Sequence, residues 1–286
     1  MHHRLRHVVA AALVAVYLAG CGDDWGAASD RAPVILATTT STQDSGLLDV
    51  LVSAFERDRG YRVKTIAVGS GEAIELGARG EADVVLAHSP AAEEALMADG
   101  KGGERRTVMH NDFVLVGPAA DPAKVRGASA AQALDRIAAG KAPFVSRGDD
   151  SGTHAFELGL WEDAGRTPEG AWYQESGQGM GATLQIANDK DAYTISDRGT
   201  YLATESARDL EILVEGGDEL LNVYHVIDIA PDAGERVNAE GGKALADWLV
   251  SSAAQDEITT FGVAEFGEPL FVPDAGKTDA QILNAA

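Results

Sequence analysis

The chain is 286 residues long with a formal charge of −22 and a single cysteine. A surface this acidic argues against nucleic-acid binding and offers no long-range attraction to a small anion, so any anion would have to be held by a local site. The length suits one large domain or two ordinary ones, and the Ala- and Gly-rich, aromatic-poor composition is that of a soluble globular protein.

The first segment differs from the rest. Arg4 and Arg6 precede the apolar run Val8 to Leu18, which is too short to span a bilayer comfortably. Residues 1–20 therefore read as an export signal. The run ends in Leu18-Ala19-Gly20-Cys21, which resembles the bacterial lipobox and would make Cys21 the lipid-bearing first residue of the mature protein. The plainer alternative is an ordinary signal peptide with an incidental thiol. With no second cysteine there is no intramolecular disulfide. Residues 21–32 are small and polar and read as a tether.

Repeated strand–loop–helix units follow. Val34 to Ala37 reads as a buried strand, and Thr38 to Gly46 as a hydroxyl- and amide-rich loop. Leu47, Leu48, Leu51, Val52 and Phe55 mark a helix ending near Arg59-Gly60. Arg62 to Val68 reads as a strand, after which Gly69-Ser70-Gly71 opens a helix over Glu72 to Ala78. Ala82 to Ala87 is the next strand, and His88-Ser89-Pro90 starts a helix through Met97. Such alternation predicts an α/β fold with mainly parallel strands and a ligand at their carboxyl ends. Thr107 to Met109 and Asp112 to Gly117 are closely spaced apolar runs, and Ser129 to Ala139 is helical.

Pro143-Phe144-Val145 reads as a strand, Ser146 to His154 as a tight polar loop, and Ala155 to Trp161 as a helix. A helix start collects free backbone N–H groups and a positive dipole end. Arg147 adds a planar fork of donors, Ser151 and Thr153 add hydroxyls, and Gly152 lets the backbone come close to a ligand. Together they describe a socket for an oxyanion, against the plainer alternative of a capped helix beside a surface arginine. Gly177 to Gly181 is a Gly-rich loop before the helix Ala182 to Asn188. Ala192 to Ile195 is a strand, and Ser196 to Thr200 another polar loop at a helix start. Leu210 to Val214 and Asn222 to Ile229 are strands. Helices at Gly241 to Ser252 and Gln255 to Phe261 close the pattern. Asp112 to Gly117 and Asn222 to Ile229 bracket one block of units and look like paired crossover strands, giving one lobe from 33–110 with 229–286 and a second from 111–228.

The chemistry narrows by residue type. Ser151 and His154 lie close to Asp149 and Asp150, but no Gly-x-Ser-x-Gly elbow is present. An exported hydrolase using Ser151 is the alternative of another class. The histidines lack metal-ligand spacing, no EF-hand run is present, and neither nucleotide-binding glycine motif occurs, so no cofactor and no metal is expected. Donor-rich loops remain: Thr38 to Ser41, Ser70-Gly71, Arg147 to Thr153, and those at 177–181 and 196–200. Charge-assisted hydrogen bonds contribute roughly 1.5–3 kcal/mol each, whereas nanomolar affinity needs about 12 kcal/mol net. Preset donors could therefore supply tight binding.

Leu36 to Leu48, Val68 to Ala73, Ala82 to Pro90, Asn111 to Pro118, Ser146 to His154 and Tyr193 to Tyr201 carry a family resemblance, in order and over nearly all of the exported chain. The chain resembles the solute-binding proteins of bacterial ABC uptake systems, and among them the tungstate-binding (Tup-type) lipoproteins. The resemblance implies a periplasmic-binding-protein type II fold, two α/β lobes joined by two crossover strands. It also implies a monomer anchored through Cys21, with tungstate or a similar tetrahedral oxyanion in the cleft for an ABC permease and its ATPase. It places the oxyanion contacts at Thr39, Ser70, Arg147 and Thr153, with Ser151 and Gly152 adjacent and Thr40 and Gly71 as further candidates. Molybdate and phosphate are the competing ligands. Phosphate-binding relatives look similar around Arg147, where the residue matching Asp149 holds the arginine. They place an acid near the position of His88, and that acid accepts the proton of hydrogen phosphate. Here that place reads His88-Ser89, and apart from Glu72 the first-lobe donor loops carry no carboxylate. A site of donors alone suits an ion without a proton of its own. Arg198 is either a second cation for the ligand or the partner of Asp197 or Glu205.

Overall fold

The computed structural model describes residues 31–204, 207 and 209–284. The leader, Cys21 and most of the tether lie outside these residues, as does Glu205.

The chain opens with β1 (Val34–Thr39), a short helix α1 (Thr40–Asp44), α2 (Leu47–Arg59), β2 (Val63–Val68), α3 (Ser70–Ala78), β3 (Val84–Ala87) and α4 (Pro90–Ala98). β1 pairs in parallel with both β2 and β3. The loop expected over Thr38 to Gly46 is largely a strand end and a helical turn, because the Thr39 hydroxyl accepts the Thr42 N–H and caps α1. α2 ends as the sequence implied, on Gly60 in the left-handed region.

One strand then crosses the molecule. β4 (Gly102–Pro118) joins the two apolar runs that the sequence showed separately. Its first part pairs with β9 (Leu221–Ile229), and its last part with β7 (Thr194–Asp197) and β8 (Leu210–Val214). Between them lie α5 (Ala130–Gly140), β5 (Phe144–Ser146), α6 (Gly152–Asp163), β6 (Tyr173–Glu175), α7 (Met180–Asp189) and α8 (Arg198–Ala203). α9 (Ala239–Leu249), α10 (Ser252–Thr260), α11 (Val263–Phe266), β10 (Val272–Pro273) and α12 (Asp279–Leu283) complete the chain.

The strand order β10-β4-β9-β3-β1-β2 makes the fold α/β as expected, but the expectation of mainly parallel strands is corrected. β9 runs antiparallel to β3 and β4, and β7, β8 and β10 run antiparallel to β4. Parallel pairing stays within the strand–helix–strand units. The long strands that cross from one half to the other reverse direction between crossings.

Each half is layered. In the first, Leu47, Leu51, Phe55, Leu245 and Trp248 pack on one face of the sheet, and Ala73, Ile74 and Leu96 on the other. In the second, Leu134, Ile137, Leu160 and Trp161 cover one face, and Met180, Leu184 and Ala187 the other. Glu157 is buried among them, yet its carboxylate accepts from Ser146 Oγ (2.7 Å), Trp161 Nε1 and Tyr173 OH (both 2.9 Å). Burial raises its pKa while these donors oppose the shift. It thereby ties α6 to β5 and β6, and so fixes the loop between β5 and α6.

Candidate functional site

The ends of β1, β2, β3, β5 and β7 deliver their loops to one place. From β5, Ser146 leads into Arg147-Gly148-Asp149-Asp150-Ser151. The turn needs left-handed backbone at Gly148 (φ 58°) and Asp150 (φ 54°). At Gly148 a side chain would meet Glu175 Cβ at 2.4 Å, so glycine is required on both counts.

Arg147 is 3% exposed. Asp149 accepts its Nε at 3.1 Å and Nη2 at 2.5 Å, and also accepts the Ser151 N–H at 3.2 Å. The expectation that Asp149 aims the guanidinium is met. The same Nη2 reaches Thr40 Oγ1 at 3.1 Å, from the other half of the molecule. Among the described residues Nη1 has no protein partner, leaving one edge of the fork for a ligand.

The hydroxyls divide in two. Ser151 Oγ caps α6 by accepting the His154 N–H at 3.2 Å. Thr39 Oγ1 caps α1 and lies 3.0 Å from Ser41 Oγ and 2.8 Å from Thr42 Oγ1. Both are held in place, each with a hydroxyl proton still to direct. Ser70 at the start of α3 is different: its Oγ is fully buried without a hydrogen-bond partner. His88 Nδ1, at the end of β3, is also buried without one. Both atoms face Gly152, where an added Cβ would lie 2.6 Å from Ser70 Oγ and 3.1 Å from His88 Nδ1. Gly69 approaches Ser151 similarly, and Gly71 faces the Asp150 carbonyl at the longer distance of 3.6 Å. Thr153, in the first turn of α6, is 2% exposed, and its hydroxyl has no protein partner among the described residues. Thr39, Thr40, Ser70, Gly71, Arg147, Ser151, Gly152 and Thr153 thus stand on converging loops, four from the first half and four from the second.

Three features depart from the sequence reading. Arg198 pairs with Asp112 (2.7 and 2.6 Å) and Glu215 (2.7 Å), neither of which was its expected partner. The Asp197 side chain instead caps α8, its Oδ2 accepting the Thr200 N–H at 2.8 Å. The second departure is acidity. Asp197 is completely buried, and its Oδ1 has no partner. Asp44 reaches across to the Gly181 N–H at 3.4 Å. Burial raises the pKa of both, while Arg147 pulls each the other way. The third is His88. Burial, against the pull of Glu93, brings its pKa down to about 4 and keeps the ring neutral. Sequence had marked both polar loops, but not that the Asp197 and His88 side chains would be left partly unsatisfied in the interior.

A Ser–His pair for hydrolysis is not assembled. His154 Nδ1 accepts the Asp150 N–H at 3.1 Å, and Ser151 Oγ serves as a cap instead of donating to an imidazole. Among the described residues no group of three or more His, Cys, Asp or Glu side chains could hold a metal ion.

Residues 26–253 match the family model of a PBP superfamily domain. The tungstate-binding protein TupA of Peptoclostridium acidaminophilum is 46% identical over 97% of this chain and 100% of its own length. The crystal structure of the tungstate ABC transporter from Geobacter sulfurreducens shares 44% identity with a TM-score of 0.73, over 80% of this chain and 98% of that one. The tungstate-binding protein TupA from Desulfovibrio alaskensis G20 shares 44% identity with a TM-score of 0.71, over 85% and 100%. The chain belongs to the PBP superfamily and, within it, to the family of the TupA solute-binding proteins of ABC transporters.

Proposed function

We propose that this protein captures tungstate outside the cytoplasm, in the cleft around Arg147, for import by an ABC permease and its ATPase. The observation that carries the proposal is the convergence at Gly152. A buried arginine with one free edge stands with unpartnered buried groups from the opposite half, Ser70 Oγ and His88 Nδ1. Unpaired buried polar atoms are costly, and a tetrahedral oxyanion satisfies several at once. The contacts are Thr39, Thr40, Ser70, Gly71, Arg147, Ser151, Gly152 and Thr153. The lobes are 33–110 with 229–286, and 111–228, hinged on β4 and β9. Cys21 carries the lipid anchor, and the protein acts as a monomer.

Thermal denaturation of the purified chain with tungstate, molybdate or phosphate tests this reading, with ester turnover measured alongside. Saturating tungstate should raise the melting temperature by about 5 °C or more, with no turnover. Stabilisation by phosphate alone, or ester hydrolysis lost in Ser151→Ala, would refute it.

A further inference from the structure

Two of the donor-rich loops, 177–181 and 196–200, supply none of the proposed oxyanion contacts, yet both grip the short helix α1 that carries Thr40. In the second loop Thr200 is completely buried. Its N–H donates to Asp197 Oδ2 at 2.8 Å, and the same oxygen accepts from Asn111 Nδ2, on the crossing strand β4, at 3.3 Å. Anchored in this way, Thr200 Oγ1 donates to the Ser41 carbonyl of α1, in the other half, at 3.3 Å. That carbonyl also accepts the Ser45 N–H at 3.0 Å, and a carbonyl oxygen has a lone pair for each donor.

The glycine-rich loop works at the other end of α1. The Gly177 N–H donates to the Arg147 carbonyl at 2.8 Å, and Ser176 Oγ donates to the same oxygen at 3.1 Å, so this loop is fixed to the backbone of the buried arginine. It leads into α7, which has no side-chain cap of its own: Gly179 stands at the N-cap position, and the first turn holds no acid. Asp44, the last residue of α1, takes that place from the other half by accepting the Gly181 N–H at 3.4 Å. A carboxylate is badly placed at the end of its own helix and well placed at the start of another. With Arg147 Nη2 on Thr40 Oγ1 at 3.1 Å, the second half thus holds α1 at Thr40, Ser41 and Asp44.

We propose that Thr200 and Asp44 are positioning residues that clasp α1, hold the Thr39 and Thr40 hydroxyls against Arg147 around the bound oxyanion, and so set how long tungstate stays in the cleft. The inference rests on the oxyanion-binding reading above. Neither residue touches the oxyanion. Both grips join one half to the other, so they stabilise the closed, loaded state and not the first encounter, and their loss shows in release instead of capture. Asp44 also separates a clasp from a simple charge effect. It stands one helical turn from Thr40, the residue that Arg147 reaches. Acting by its charge alone, an acid there would repel the anion, and removing it would tighten binding. A clasp predicts the opposite.

The test follows radiolabelled tungstate on the purified chain, with capture measured after rapid mixing and release by a chase of unlabelled tungstate. Wild-type binding reports on the parent reading by itself: no capture by wild type would refute that reading, whatever the variants do. Thr200→Val, which keeps the side-chain shape and removes the hydroxyl, should release tungstate about tenfold faster with a capture rate within about twofold of wild type, and Thr200→Ser should restore most of the retention. Asp44→Ala should release it about fivefold faster, and Asp44→Asn, which keeps an oxygen for the Gly181 N–H, should recover most of that loss. Ligand-free melting temperatures should stay close to wild type. Should Thr200→Val fail to fold, the Asp44 variants decide the matter, because that side chain reaches solvent. Release at the wild-type rate from folded Thr200→Val or from Asp44→Ala would overturn the proposal. Slower release from Asp44→Ala would also overturn it, because the acid would then act on the anion by charge alone.

Discussion

At the scale of single residues the site is set by how charge is placed before a ligand arrives. Arg147 is nearly inaccessible, its fork half taken by Asp149 and Thr40 and half open. A charge-assisted pair of bonds from a fixed guanidinium is lost in Arg147→Ala, and a lysine restores the charge without the planar fork. Calorimetry should therefore show about 100-fold weaker tungstate binding in Arg147→Ala and a partial recovery in Arg147→Lys. Full affinity in the alanine variant would remove Arg147 from the site. His88 gives a pH dependence of stability with a definite sign. The unfolded chain takes up a proton at this ring below about pH 6.5, whereas the native ring resists until about 4. Between these values the unfolded state binds more protons, so native stability is fully present above the upper value. It is lost as pH falls, by about 3 kcal/mol at the lower end. Asp197, with its pKa raised by burial, works in the opposite sense, so the comparison must be between wild type and His88→Gln. Wild type should lose stability more steeply between pH 7 and 4.5, by chemical denaturation. Equal slopes would show that the ring is not held neutral.

The elements explain why these residues meet. α1, α3 and α6 begin at the carboxyl ends of β1, β2 and β5, and their first turns carry the hydroxyls. Glycines let the two halves approach: Gly152 against Ser70 and His88, and Gly69 against Ser151. A methyl group at position 152 would sit 2.6 Å from Ser70 Oγ, well inside contact distance, while α6 itself gains a better helix former. Gly152→Ala should hence weaken tungstate binding by about tenfold or more, with the ligand-free melting temperature within a few degrees of wild type. Unimpaired binding would mean that the halves do not close there.

Most of this layer was legible in the sequence. The apolar period of α2 and the Gly60 stop are local signals, and they sit where the pattern placed them; α6 starts at Gly152 and not at Ala155 as the pattern implied, because Ser151 caps it. Strand direction was not legible, because a run such as Asp112 to Gly117 has the same apolar pattern whether its neighbour is parallel or antiparallel. The short pieces β6, α11, β10 and α12 were missed because their few residues carry no period and are held by contacts from distant parts of the chain.

For the whole molecule the governing fact is that an acidic chain offers an anion a basic, buried point at Arg147. The sequence gives a net charge of −22, and acids also crowd the site: Asp149 on Arg147, with Asp44 and Asp197 close enough to feel its charge. In the proposed site, binding comes from fixed donors at short range that both halves contribute. The motifs at Thr39, Ser70 and Arg147 were visible along the chain as separate loops. Their convergence depends on β4 and β9 crossing between the halves, and the hydrogen bond between Asn111 and Asn222 depends on strand register. Neither is written in local pattern.

The most direct measurement of the central claim is a calorimetric titration of the purified chain with tungstate, repeated in the presence of a large excess of phosphate. The account predicts one tungstate bound per chain with a dissociation constant below about 1 μM, barely changed by about a thousandfold excess of phosphate. Displacement of tungstate by phosphate, or no heat of tungstate binding at all, would contradict it.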